Sequence, residues 1–200
     1  MSGIMYKNFE DYVNKRKDTF DKHIAKLTKI PTGENDCIVE FKNPATSDGA
    51  MVFIYCKGYL TIQGDYGNGS FTWHNPKNTL AWIANTDFCY FMSKLCSGET
   101  GEAMGLMKDF DSDLCIEQVE AYIEEYEIEV GESKACVYTG WKAHTGCQTE
   151  WLAYLNSNGE EAFGDDYWES LPSFGEHIKT IAYIWKYGLM KAVEFLGSGL

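Results

Sequence analysis

A single arginine, Arg16, stands among the 17 basic side chains of this 200-residue chain. Bidentate recognition of phosphate or of a guanine edge, which the planar guanidinium fork suits best, is thereby almost unavailable. No apolar run is long enough to cross a bilayer, and the opening segment MSGIMYKNFEDYVNKRKD lacks the apolar middle of a secretory signal. A soluble, cytoplasmic protein that meets no membrane is the expectation. There is also no C-x2-C pair, no G-x-S-x-G, no internal repeat and no low-complexity tract. Zinc-ribbon, hydrolase-elbow and solenoid readings fall away with them.

What is present is apolar and acidic. Hydrophobic residues make up 44% and aromatics 15%, which excludes a disordered chain. The seven cysteines, Cys37, Cys56, Cys89, Cys96, Cys115, Cys136 and Cys147, are odd in number and several sit inside apolar runs. That pattern predicts reduced thiols and no disulfide framework. Thirty acidic residues give a formal net charge of −13. They are unevenly placed: residues 1–60 hold nine basic and eight acidic side chains, whereas residues 97–170 hold 18 acidic and three basic. Direct binding of nucleic acid, which rests on lysine and arginine releasing counterions, is excluded as an expectation.

The hydropathy pattern predicts a single α+β domain over residues 1–200: helix and meander through residue 75, then a mainly helical, acidic portion. Phe9, Tyr12, Val13, Phe20, Ile24 and Leu27 recur at spacings of three and four and predict an amphipathic helix over residues 8–28. Four short strands follow, near 37–42, 50–57, 59–64 and 69–74, separated by turn chemistry that implies an antiparallel meander. Asn78 or Thr79 then caps a helical stretch running to Leu95. Asp111, Ser112 and Asp113 offer N-caps for LCIEQVEAYIEEYEIE, and further helices are expected over Gln148–Leu155 and His177–Leu196.

The segment QGDYGNGSFTW, residues 63–73, poses the sharpest local question. A phosphate-cradling glycine loop must open a helix, whose N-terminus completes the anion site. Here Ser70-Phe71-Thr72-Trp73 alternates polar and aromatic residues as a strand does. The glycines therefore read as a hairpin connection, with positive φ expected at Gly64, Gly67 or Gly69 and no helix before Asn75.

Catalytic and metal chemistry find little support. Cys136, His144 and Cys147 lack a local fourth zinc ligand. Asp109, Asp111 and Asp113 begin a calcium-loop spacing, but Leu114 stands where glycine is required. Ser70 enters a strand, and Cys147 beside His144 has no orienting third group. The carboxylate pairs Glu160-Glu161 and Asp165-Asp166 are what an acidic chain produces by chance, and the four histidines are far apart. The expectation is a protein with no metal, no cofactor and no enzymatic activity.

The acidic residues are the remaining candidates. On the helix after Asp111, Cys115, Val119, Tyr122, Ile123 and Tyr126 share one face, while Glu117, Glu120, Glu124 and Glu127 line the other with no lysine among them. Like charges at these spacings repel, so the stripe either is simply solvated or meets a cationic partner. Asp109, Asp111, Asp113, Glu117, Glu120, Glu124 and Glu127 are the candidate partner-binding residues, with Tyr122, Tyr126, Tyr167 and Trp168 as candidate aromatic anchors.

Between Ala50 and Cys115 lies a loose pattern: Gly64-Asp65-Tyr66-Gly67 closing a hydrophobic strand, then Phe71 and Trp73, then Leu80-x-Trp82-Ile83 and Asp87-x-x-Tyr90-Phe91-x-x-Lys94. In this it resembles small acidic accessory proteins of phages and prophages, and in charge and size alone it is similar to anti-CRISPR proteins. The resemblance implies an accessory protein of mobile elements, with no known activity or catalytic residues to transfer. The acidic excess adds the expectation of an inhibitor in the host cytoplasm that mimics nucleic acid and occupies the basic groove of a defence nucleoprotein such as a CRISPR effector. Two alternatives stand beside it: an interaction module whose acidity serves solubility, and an enzyme whose site the sequence does not display.

Overall fold

Residues 6–73, 75–96, 108–126 and 140–197 are described in the computed structural model. The first helix, α1 (Phe9–Arg16), starts where Asn8 Oδ1 accepts from the Asp11 N–H at 2.9 Å. It is shorter than the periodicity suggested. The rest of the expected helix is a strand, β1 (Ile24–Lys29), paired residue by residue with β2 (Cys37–Lys42) from Ile24↔Lys42 to Lys29↔Cys37. Ile24 and Leu27, three apart, fall on opposite faces of the strand, which leaves Ile24 exposed, and the non-local hydrogen bonds to β2 decide against the helix.

Three further strands, β3 (Met51–Cys56), β4 (Tyr59–Gly64) and β5 (Gly69–Thr72), extend an antiparallel meander in the order β1-β2-β3-β4-β5. The sheet thus has five strands rather than four. Strict alternation sends Val39, Phe41, Met51, Phe53, Tyr55, Leu60, Ile62 and Phe71 to one buried face. Gly64 and Gly67 carry φ of 144° and 77° in the β4–β5 connection, as a hairpin requires. Gly69 has another role: a Cβ there would lie 2.7 Å from the Trp185 ring.

Asn75 to Thr79 lead into α2 (Leu80–Ala84) and α3 (Phe88–Met92), two short helices in place of one. Each has its own cap, Thr79 accepting from the Trp82 N–H and Asp87 from the Tyr90 N–H. The last long helix, α7 (Thr180–Leu196), covers the buried sheet face, with Trp185 edge-on to Phe71 at 6.1 Å and its Nε1–H donating to the Tyr66 carbonyl at 2.9 Å. Tyr12 of α1 packs against Tyr6, Tyr183 and Tyr187. Arg16, the lone arginine, donates from Nε to the Tyr6 hydroxyl at 2.7 Å.

The chain gathers into two compact units: residues 1–107 with 179–200, and residues 108–178. The second opens with β6 (Lys108–Phe110) and continues through α4 (Ser112–Glu125), a 3-10 turn (Trp141–His144), α5 (Gln148–Phe163), α6 (Tyr167–Ser170) and a 3-10 turn (Leu171–Ser173). It closes on β7 (Glu176–Ile178), antiparallel to β6. His177 therefore lies in a strand, and the helix expected to begin there starts at Thr180. The helix expected over 148–155 runs on to Phe163, because Ala162 and Phe163 join Cys115, Val119, Trp141, Trp151, Tyr154, Leu155 and Leu171 in a separate apolar core. No helix among the described residues is long and apolar enough to cross a membrane.

Candidate recognition surface

α4 is placed by its first turn and its inner face. Asp111 Oδ1 accepts from the Leu114 N–H at 2.8 Å, and the Asp111 N–H donates to the Gly175 carbonyl at 2.8 Å. Gln118 Oε1 accepts from the Gly175 N–H at 2.7 Å, so the helix is fixed on the segment preceding β7. Cys115 and Val119 are fully buried, while Ile116, Tyr122 and Ile123 are packed against the core at its margin. The remaining face must point outward, and Asp113, Glu117, Glu120, Glu124 and Glu125 are all exposed.

The seven candidate carboxylates divide by what they do. Asp111 is the helix N-cap, so its carboxylate already serves the fold. Asp109 lies exposed on β6, opposite His177. Glu120 is ion-paired with Lys142 from the 3-10 turn, which corrects the expectation that no lysine relieves the stripe. That lysine is 22 residues away, a distance at which helical spacing offers no signal. Asp113, Glu117 and Glu124 make no ion pair among the described residues. Glu127 lies outside the described residues, as does Cys136 of the zinc triplet.

At the C-terminal end of α4 the carboxylates meet aromatics. The Tyr122 and Tyr126 rings are 4.6 Å apart at 36°, and Phe174 approaches Tyr122 edge-on at 6.0 Å. Burial first, then the fields of Tyr126, Asp166 and Glu169, raise the Tyr122 hydroxyl above its ordinary range. Asp166 lies just before α6 and Glu169 within it. Asp166 and Glu169 are the residues the sequence reading did not join to this surface. Their only advance signal was DDYWES, acidic and aromatic together, and their field at Tyr122 arises from tertiary structure. Tyr126 and Trp168 are each 62% exposed. Tyr167 is not such an anchor: its ring fills the space over Gly159, where a Cβ would lie 2.5 Å from Cε2.

The chain matches no family model, no curated protein and no solved structure.

Two clefts in the first unit are the alternatives. One of about 530 Å³ is lined by Phe9, Glu10, Asn85, Asp87, Cys89 and Met190 among others. No histidine lines it beside the Cys89 thiol, and its Asp87 carboxylate serves as the N-cap of α3. The other, of about 300 Å³, holds His23 with Asp21, Lys191 and Glu194. There His23 Nε2 lies 3.2 Å from the Gly49 carbonyl, and Lys191 is paired with Glu194 at 2.9 Å. Only Lys191 and Glu194 pair with each other, and the His23 Nδ1 is buried without a hydrogen-bond partner among the described residues. Among the described residues no group of three or more histidine, cysteine or carboxylate side chains is arranged to hold a metal ion.

Proposed function

We propose that the protein is a non-enzymatic inhibitor that binds the basic nucleic-acid groove of a host defence nucleoprotein, a CRISPR effector being the type of target envisaged, as a phage-derived accessory protein would. One observation carries the reading: residues 108–178 hold 17 acidic side chains against three basic ones. Within them, Asp113, Glu117 and Glu124 are exposed on α4, and Tyr126 at its C-terminal end is exposed with them. A groove built to hold phosphates presents dense positive charge, and a surface of this sign is steered to it at long range. The aromatics supply the desolvated contact that carboxylates alone cannot.

The test is competition. A purified nucleic-acid-binding effector is loaded with labelled guide or target, and the protein is added at about 0.1 M salt, where screening is still moderate. Displacement of the label, weakening steeply toward about 0.5 M salt, is the expected outcome. If the label stays bound at every protein concentration across a panel of such effectors, the inhibitor reading fails.

A further inference from the structure

We infer that residues 108–178 are a self-contained module inserted into the first unit's chain through the β6–β7 pair, and that recognition of a cationic partner belongs to this module alone. The recognition half rests on the proposed function, whereas the modular half does not. Three observations support the module. Its first and last residues, Lys108 and Ile178, are partners in one antiparallel register, followed by Asp109↔His177 and Phe110↔Glu176. Paired residues in such a ladder stand about 5 Å apart, so the chain enters and leaves at one point. That is the geometry in which one domain can be inserted into another without breaking either.

The second observation is a complete core. Trp141, Trp151, Leu155, Phe163 and Leu171 are nearly or fully buried within the unit, and the Trp151 indole N–H donates to the Leu171 carbonyl at 2.9 Å. A unit of about 70 residues is small but sufficient to fold on such a core. The third is charge. The module carries net −14, from 17 acidic and three basic residues, while the rest of the chain has 13 acidic and 14 basic, net +1. The whole net charge of the protein therefore resides in the insertion. Self-repulsion lowers the stability of a compact body of one sign, and salt relieves it.

The experiment uses the full chain. Amide hydrogen exchange is followed residue by residue, by NMR, at about 0.05 M and 0.5 M sodium chloride, and in Leu171→Ala and Ile62→Ala. Salt is expected to slow exchange in 112–125 and 148–163 by about tenfold or more, leaving 51–64 within about twofold. Leu171→Ala is expected to speed exchange at least about thirtyfold in the module only, and Ile62→Ala in the first unit only, as loss of a buried aliphatic side chain does. If Leu171→Ala does not fold, Leu171→Val serves in its place. Parallel changes in both units would overturn the module. A short arginine homopeptide, titrated at low salt, probes the second half. Shifts confined to residues 108–178 support it, and shifts spread over the first unit, or none at all, overturn it while leaving the exchange result standing.

Discussion

Lys186 is 1% exposed, yet it is a lysine in the middle of α7. Its Nζ donates to the carbonyls of Ile83 and Ala84 at 3.0 and 2.8 Å and to Thr86 Oγ1 at 3.3 Å, and lies 5.1 Å from the centre of the Phe91 ring. It thus satisfies carbonyls that α2 leaves open at its C-terminus. Burial lowers its pKa from 10.5 to about 8, partly offset by Asp87. Between those two values the unfolded chain binds the proton and the folded chain does not. Stability due to this residue therefore rises with pH from about 8 to about 10.5, by at most about 3 kcal/mol, and is lowest below 8. Urea midpoints of the parent and of Lys186→Met at pH 7 and pH 10 isolate the effect, because thiol and tyrosine ionisation cancels in the comparison. The parent should gain on the variant at pH 10; an unchanged difference would show that the lysine is not desolvated. None of this was legible in the sequence, where Lys186 is one polar residue in an apolar helix. Gly69, by contrast, was legible as a glycine of the hairpin region, but its need for smallness depends on Trp185, 116 positions later, and no local pattern carries that.

At the scale of the element, the presence of α4 was legible and its N-cap was among the three candidates Asp111, Ser112 and Asp113, because capping is a local rule in which a side-chain oxygen accepts from the N–H two or three residues on. The strands β2 to β5 were equally legible, since alternation over six residues has one explanation once turn residues flank it. β1 was not, because its assignment depends on β2. The carboxylates of α4 now support a sharper experiment than the sequence allowed. Asp113→Asn, Glu117→Gln and Glu124→Gln together remove three charges without touching the Asp111 cap or the Glu120–Lys142 pair. Glutamine keeps shape and helix propensity close to those of glutamate. Competition for a basic groove should weaken by about tenfold or more, mainly through slower association. Thermal stability should hold or rise by a few tenths of a kcal/mol as the i, i+4 repulsion between charged neighbours is lost. If competition is undiminished, these carboxylates serve only as a solvated face and the partner must be sought elsewhere on the molecule.

For the whole molecule, the charge asymmetry was visible in the sequence, but its edges were not. The acidic excess reads as beginning near residue 97, whereas the compact unit begins at 108 and ends at 178, where strand pairing closes it. Each unit also carries a buried thiol. Cys37, 1% exposed on β2, and Cys115, fully buried on the inner face of α4, are both pushed above the ordinary thiol range by burial, Cys115 to about 12. Cys89, Cys96 and Cys147 are exposed, and all six described cysteines are free. A thiol reacts as its thiolate, so burial protects twice, by blocking access and by suppressing ionisation. Alkylation of the native, non-reduced protein at about pH 8, near the ordinary thiol pKa, followed by peptide mass spectrometry, should label Cys89 and Cys147 at the rate of an open thiol and Cys96, whose pKa partial burial raises, more slowly. Cys37 and Cys115 should lag by about a thousandfold or more, the factor set by opening of a unit with ordinary stability. In strong denaturant all seven cysteines of the sequence should label without reductant. If two resist, a disulfide exists and the reduced interior is wrong. If Cys115 labels as fast as Cys147, the core beneath α4 is open and the outward face of that helix is not fixed. The lag of Cys37 then reports the first unit and that of Cys115 the second, so urea should release them at separate midpoints if the insertion folds by itself, and at one midpoint if the chain unfolds as a single body.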